Sequence, residues 1–207
     1  VHRLATLARV TWCGASRLLG VAAVIGVLCG SVAAAEGEGE APWVPEGAFA
    51  EAGVHEGEPR LEARLLVDAG RSTPDLARIG VLFDLDPGWH LYWRNSGDTG
   101  IPTTLDVRSP GATAGEIAWP VPRVFSEADG LFVTYGYEGR VLLSLDLALD
   151  PAFDAERVVA VEAAVLICRT ECIPADVSLE RSLTEALVDS PDNVAVTRIF
   201  EQFEARH

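Results

Sequence analysis

Residues 157–174, RVVAVEAAVLICRTECIP, restrict the possible folds of this chain more than any other stretch. Val159, Val161, Ala163, Val165 and Ile167 share one parity, and Glu162 and Cys168 share the other. Strand side chains alternate between faces, so this is a strand with one apolar side that ends on a cysteine. Cys168 leaves from the side carrying Glu162, which predicts a sulfur at or near solvent. Arg169, Thr170 and Glu171 then separate it from Cys172. Left extended, the two Cα atoms would sit roughly 13 Å apart, so a disulfide requires the chain to double back within three residues.

A ring of about five residues contributes only around 2 kcal/mol by chain entropy, near the low end for disulfides. Such a bridge in an exposed tight turn suits a bond that is made and broken. Two other uses compete with it. Paired cysteines in exported domains commonly form static structural bridges. A zinc or copper site is the third use, but beyond the pair the chain after residue 35 offers only His55, His90 and His207 as imidazole ligands. No metal and no cofactor is expected.

The redox compartment follows from the amino terminus. Arg3, Arg9 and Arg17 precede an apolar run, LLGVAAVIGVLCG, and then Ala33-x-Ala35, so residues 1–35 read as an export signal. Its removal takes away Cys13, Cys29 and three of the 16 basic residues but none of the 31 acidic ones, leaving a charge of −18. Every basic residue is Arg, and the acidic excess disfavours a nucleic-acid surface. Outside the cytoplasm a dithiol that works as a reductant needs electrons from elsewhere, and nothing in this chain supplies them.

Residues 36–60 are rich in Glu, Gly, Ala and Pro and read as a flexible acidic lead-in. From residue 61 a period of two takes over. Leu61, Ala63, Leu65 and Val67 alternate with polar residues, as do Ala77, Ile79, Val81, Phe83 and Leu85, and later Val141, Leu143, Leu145, Leu147 and Leu149. Segments 101–107 and 177–183 add further strands. Half-buried strands separated by Gly, Pro and Asp turns predict an all-β, immunoglobulin-like antiparallel sandwich over residues 61–188. A short C-terminal helix is expected within residues 189–207, started by Ser190-Pro191 and carrying Val196, Ile199, Phe200 and Phe203 on one stripe.

Two aromatic stretches complete the pattern. In residues 86–102, Trp89, Leu91 and Trp93 share a strand face expected to be core, while His90, Tyr92 and Arg94 point the other way, where the first two would flank the cysteines. Residues 125–138, FSEADGLFVTYGYE, read as a hairpin with packed aromatics or as a flap over the disulfide. As a flap, Phe132 would exclude water, and Glu127 or Asp129 would move protons.

PGWHLYWRNSGDTGIPT, WPVPRVF, YGYEGRVLL and CRTECIP, in this order, resemble the amino-terminal periplasmic domain of the DsbD thiol:disulfide interchange proteins, in the branch that includes ScsB. The resemblance covers residues 61–187. It implies a catalytic pair, Cys168 and Cys172, that cycles between dithiol and disulfide in the periplasm. Electrons would come from a membrane-embedded DsbD- or ScsB-type domain and pass to thioredoxin-like proteins, disulfide isomerases or cytochrome c maturation factors. A cap would fall near residues 129–134. The spacing here is CxxxC, shorter than in the best-known member. The chain reads as a fragment, or as a stand-alone domain served by a separate membrane protein. A rival from another class is an exported binding or chaperone-like module, copper-handling in one variant, with a static disulfide.

Overall fold

The computed structural model describes residues 41–152, 156–188 and 191–204. The expected export signal lies outside the described residues. Among the described residues, eleven strands and two α-helices follow in chain order: β1 (Phe49–His55), β2 (Glu58–Val67), β3 (Leu76–Leu85), β4 (His90–Gly97), β5 (Thr104–Arg108), β6 (Ala112–Ala114), β7 (Arg123–Glu127), β8 (Phe132–Glu138), β9 (Arg140–Leu149), β10 (Val158–Cys168), β11 (Cys172–Ser182), α1 (Leu183–Ala186) and α2 (Pro191–Glu204). All the strand pairs are antiparallel.

The strands form two sheets. The first runs β1-β2-β3-β9-β6, and the second runs β11-β10-β4-β8-β7 with β5 continuing the β4 edge of β10. Alternation builds the core between them. Ile79, Val81, Phe83, Leu143 and Leu145 from the first sheet meet Val159, Val161, Val165 and Ile167 from the second, all buried in one cluster. This is the immunoglobulin-like sandwich that the period of two predicts. Among the described residues no helix is long and apolar enough to cross a membrane.

Helix α2 covers the outer face of the first sheet. Phe200 lies against Gly80 and under the Arg78 guanidinium, and Leu82 and Leu142 are buried although they point away from the sandwich core. Val196 and Phe203 complete the buried stripe, with Ile199 half-buried. Ion pairs lock the helix down: Glu204 bonds both Arg71 and Arg78, while the fully buried Asp68 pairs with Arg71 and accepts from Thr197. A one-turn α1 precedes it, capped by the Ser182 hydroxyl accepting from the Glu185 N–H.

The lead-in expected at residues 36–60 needs correction. Residues 46–48 form a 3₁₀ turn, and Phe49–His55 is an edge strand paired with β2 through a two-residue turn, Glu56-Gly57, both residues having positive φ. Acidic residues here sit on an edge strand, where charge is tolerated. Its anchor is Gly53, with φ +65° and no room beside it: a Cβ there would lie 2.3 Å from Ile167 Cδ1. That contact packs β1 against the end of β10, one residue before Cys168. Replacing Gly53→Ala adds left-handed strain and a clash, and is expected to lower stability by roughly 1–3 kcal/mol in urea denaturation.

Candidate functional site at the β10–β11 turn

Cys168 and Cys172 are direct register partners across the β10–β11 hairpin, and their sulfurs are bonded, with Cα atoms 4.1 Å apart. The Arg169 N–H donates to the Glu171 carbonyl at 3.0 Å and closes the three-residue loop. On one flank the Arg169 guanidinium lies 5.4 Å from the ring centre of the buried Trp89. His55, at the end of β1, packs its ring edge against the same indole and places Nε2 3.7 Å from Glu171.

The two sulfur-bearing residues differ in depth. Parity holds as read: Cys168 leaves the outer face of the second sheet together with Glu162 and Leu166. The solvent exposure expected for it does not hold. Cys168 is 3% exposed, clustered with Tyr92 and Leu166, whereas Cys172 is exposed. Strand β11 is the sheet edge, so Cys172 stays open. Strand β10 is interior, with β11 on one side and β4 and β5 on the other, and Tyr92 of β4 and Leu166 of β10 cluster with Cys168.

That cover is assembled by register. His90 lies opposite Cys168 on β4 and opposite Glu138 on β8. Phe125 stacks on the His90 ring at 4.6 Å, and Tyr92 meets it edge-on at 5.3 Å. Glu127 is the polar centre of the group. Its Oε1 accepts from Thr134 Oγ1 at 2.7 Å and from the Tyr92 hydroxyl at 3.3 Å, and lies 3.6 Å from His90 Nε2. Behind Tyr92, Thr103 donates to its carbonyl, and Gly100 sits so close that a Cβ would be 2.5 Å from the phenol ring.

The structure therefore gathers Cys168, Cys172, His90, Tyr92 and Glu127 at one place. It sets Asp129 elsewhere, at the exposed hairpin tip with φ 56°. Phe132 is the register partner of Glu127 on the same face, but further out and 38% exposed. The ring in contact with His90 is that of Phe125, which sequence reasoning did not single out as a shield. Its parity with Glu127 was the available signal.

Burial shapes the electrostatics. Tyr92, desolvated and hydrogen-bonded to Glu127, has its pKa pushed up to about 12, so it stays a donor. Desolvation lowers the His90 pKa against the opposing pull of Glu127 and Glu138, favouring the neutral ring. A histidine whose pKa is lower folded than unfolded makes the unfolded chain bind more protons as pH falls. His90 therefore costs stability below about pH 6.5, with a slope that approaches at most about 1.4 kcal/mol per pH unit. His90→Phe should remove that component, which is read as the difference between wild-type and variant urea midpoints from pH 7.5 to 5.

Residues 62–184 match the family model described as the N-terminal domain of the thiol:disulfide interchange protein DsbD. The N-terminal periplasmic domain of ScsB from Proteus mirabilis superimposes with a TM-score of 0.58 at 23% identity, over 77% of this chain and 59% of that one. The chain thus spans under two thirds of that structure and shares its fold. A GAE domain of GGA2p from Saccharomyces cerevisiae aligns at a TM-score of 0.38 and 11% identity, over 66% of this chain and 97% of that one. A search of curated proteins gives no match. With the family model covering more than half of its length, and the bonded Cys168–Cys172 pair inside the matched span, the chain belongs to the family of DsbD amino-terminal domains.

Proposed function

We propose that the domain works in the periplasm as an electron relay. A membrane-embedded DsbD- or ScsB-type donor reduces the Cys168–Cys172 disulfide, and the resulting dithiol reduces thioredoxin-like or disulfide-isomerase proteins. The observation that carries this reading is the unequal depth of the pair, Cys172 exposed at a sheet edge and Cys168 covered.

Exchange requires a thiolate to reach a sulfur along the S–S axis. A donor thiolate attacks Cys172 Sγ, the disulfide bond breaks, and Cys168 leaves with the electron pair and takes up a proton. The donor's second thiol then attacks its own sulfur in the mixed disulfide and frees Cys172. In the onward half, the Cys172 thiolate attacks the acceptor's disulfide, and Cys168 resolves the mixed disulfide by attacking Cys172. The covered residue thus acts within the chain, and the exposed one acts between chains. In this reading the β7–β8 hairpin is the cap: Phe125 and Glu127 close over Cys168, while Asp129 and Phe132 form the outer rim that a partner meets first.

Cys168→Ala leaves the exposed thiol without its resolving partner and should accumulate mixed disulfides in cells, visible on non-reducing gels and lost on reduction. Cys172→Ala leaves only the covered thiol and should trap far less. If neither variant traps a partner, the exchange reading fails; if only Cys172→Ala does, the order of attack is reversed. A reduction potential above about −300 mV is expected for the isolated protein, since static secreted disulfides lie below that value.

A further inference from the structure

We propose that His90 carries the proton that Cys168 takes up when the disulfide opens and returns when it closes. This rests on the exchange reading above and adds a named proton carrier to it.

The need arises from depth. Cys168 is 3% exposed, so the thiolate it becomes as leaving group is cut off from water. A buried anion without a partner is strongly disfavoured, which slows the bond cleavage that creates it. A nearby proton source removes that penalty. His90 stands directly opposite Cys168 on the neighbouring antiparallel strand, and such pairs hold their Cβ atoms about 4.5–5.5 Å apart on the same face.

The groups facing this imidazole narrow the choice. From β4, the Tyr92 phenol is committed to Glu127 and, with its pKa pushed up to about 12, holds its proton throughout the neutral range. From β8, Glu138 pairs with Arg123 of β7. From β7, Glu127 is held by two hydroxyls, and Phe125 fixes the ring plane by stacking. His90 Nε2 is buried, without a hydrogen-bond partner, and 3.6 Å from the Glu127 carboxylate. An unpaired ring nitrogen beside a fixed carboxylate is suited to accept a proton reversibly. In the resting disulfide, burial keeps the ring neutral; a thiolate appearing alongside favours the protonated ring.

The balance is closed. The donor dithiol supplies both electrons. The electron pair of the disulfide bond moves to Cys168 Sγ, His90 passes it a proton taken from bulk water, and the ring returns to neutral. In the reverse direction the Cys168 thiol gives its proton to the ring as its sulfur attacks Cys172. His90 takes part as a proton carrier and forms no covalent bond.

The test is the rate of reduction of the oxidised full chain by dithiothreitol, followed by acid quench and thiol alkylation from pH 5 to 9. Each rate is divided by the dithiothreitol thiolate concentration. The wild-type normalised rate should fall through an inflection as the ring loses its proton. His90→Gln should be slower by on the order of 100-fold on the acid side and show no inflection. Glu127→Gln retains an acceptor for Tyr92 and Thr134 but removes the charge, and should move the inflection to lower pH. A His90→Gln profile that overlays wild type overturns the proposal. If circular dichroism shows that His90→Gln has not folded, an inflection left in place by Glu127→Gln overturns it instead. Wild-type protein that dithiothreitol leaves oxidised at every pH sinks the exchange reading itself, a different outcome from either.

Discussion

Antiparallel register across β4, β10 and β11 sets His90, Cys168 and Cys172 in one row on one face of a sheet, and the chemistry of the site depends on that row. Lateral position within the sheet becomes chemical difference. The outermost strand leaves its cysteine open to another protein, and the strand one step inward places its cysteine under neighbouring side chains. No special loop is required. Two residues of the same type, four apart, acquire different environments because one belongs to an edge and the other does not. The sandwich core on the opposite face, with Ile167 and Leu91 both fully buried, keeps those strands from sliding.

The domain buries charge in two ways, at two places. Around α2, Asp68, Arg71, Arg78, Asp146 and Glu204 are mutually paired, so no member carries an uncompensated charge and the helix stays on the sheet. Around Cys168 the polar groups are fewer, and among the described residues no arginine pairs with the carboxylate at their centre. Thr134 and Tyr92 satisfy one oxygen of Glu127, and a ring nitrogen of His90 is left over. A charge held beside an opposite charge resists change of protonation, whereas a neutral ring nitrogen with no hydrogen-bond partner, one strand from a cysteine, permits it.

Much of this was legible before any coordinates. The alternation at Ala77–Leu85 and Val141–Leu149 marks residues that do line the core, and the stripe Val196, Phe200, Phe203 is the buried face of α2. The parity of Cys168 holds and its expected exposure does not, because the cover comes from Tyr92, more than seventy residues upstream in the chain. Strand parity says which way a side chain points and nothing about what lies over it. The expectation of Phe132 as the shielding ring has the same origin: Phe132 and Phe125 are both aromatic, and only the register of β7 on β8 and of β8 on β4 decides that Phe125 reaches His90. Strand β1 was missed because its buried residues, Ala52 and Gly53, are adjacent and small, leaving no period to read. The capping pair Ser182–Glu185 was readable, but one helical turn is too short for a hydrophobic pattern to confirm.

Arg169 on the face of Trp89 gives the turn a second kind of restraint, independent of the sulfur–sulfur bond. Once that bond is open, the loop still has its cation held over a buried indole and its two strands still zipped along ten further residue pairs below the cysteines. The freed thiols therefore remain neighbours, at an effective molarity far above that of any dissolved competitor. In the exchange proposed above, an acceptor's mixed disulfide on the outer sulfur accordingly has a short lifetime, ended from within the chain, and the hairpin itself is the device that would make release of that acceptor fast.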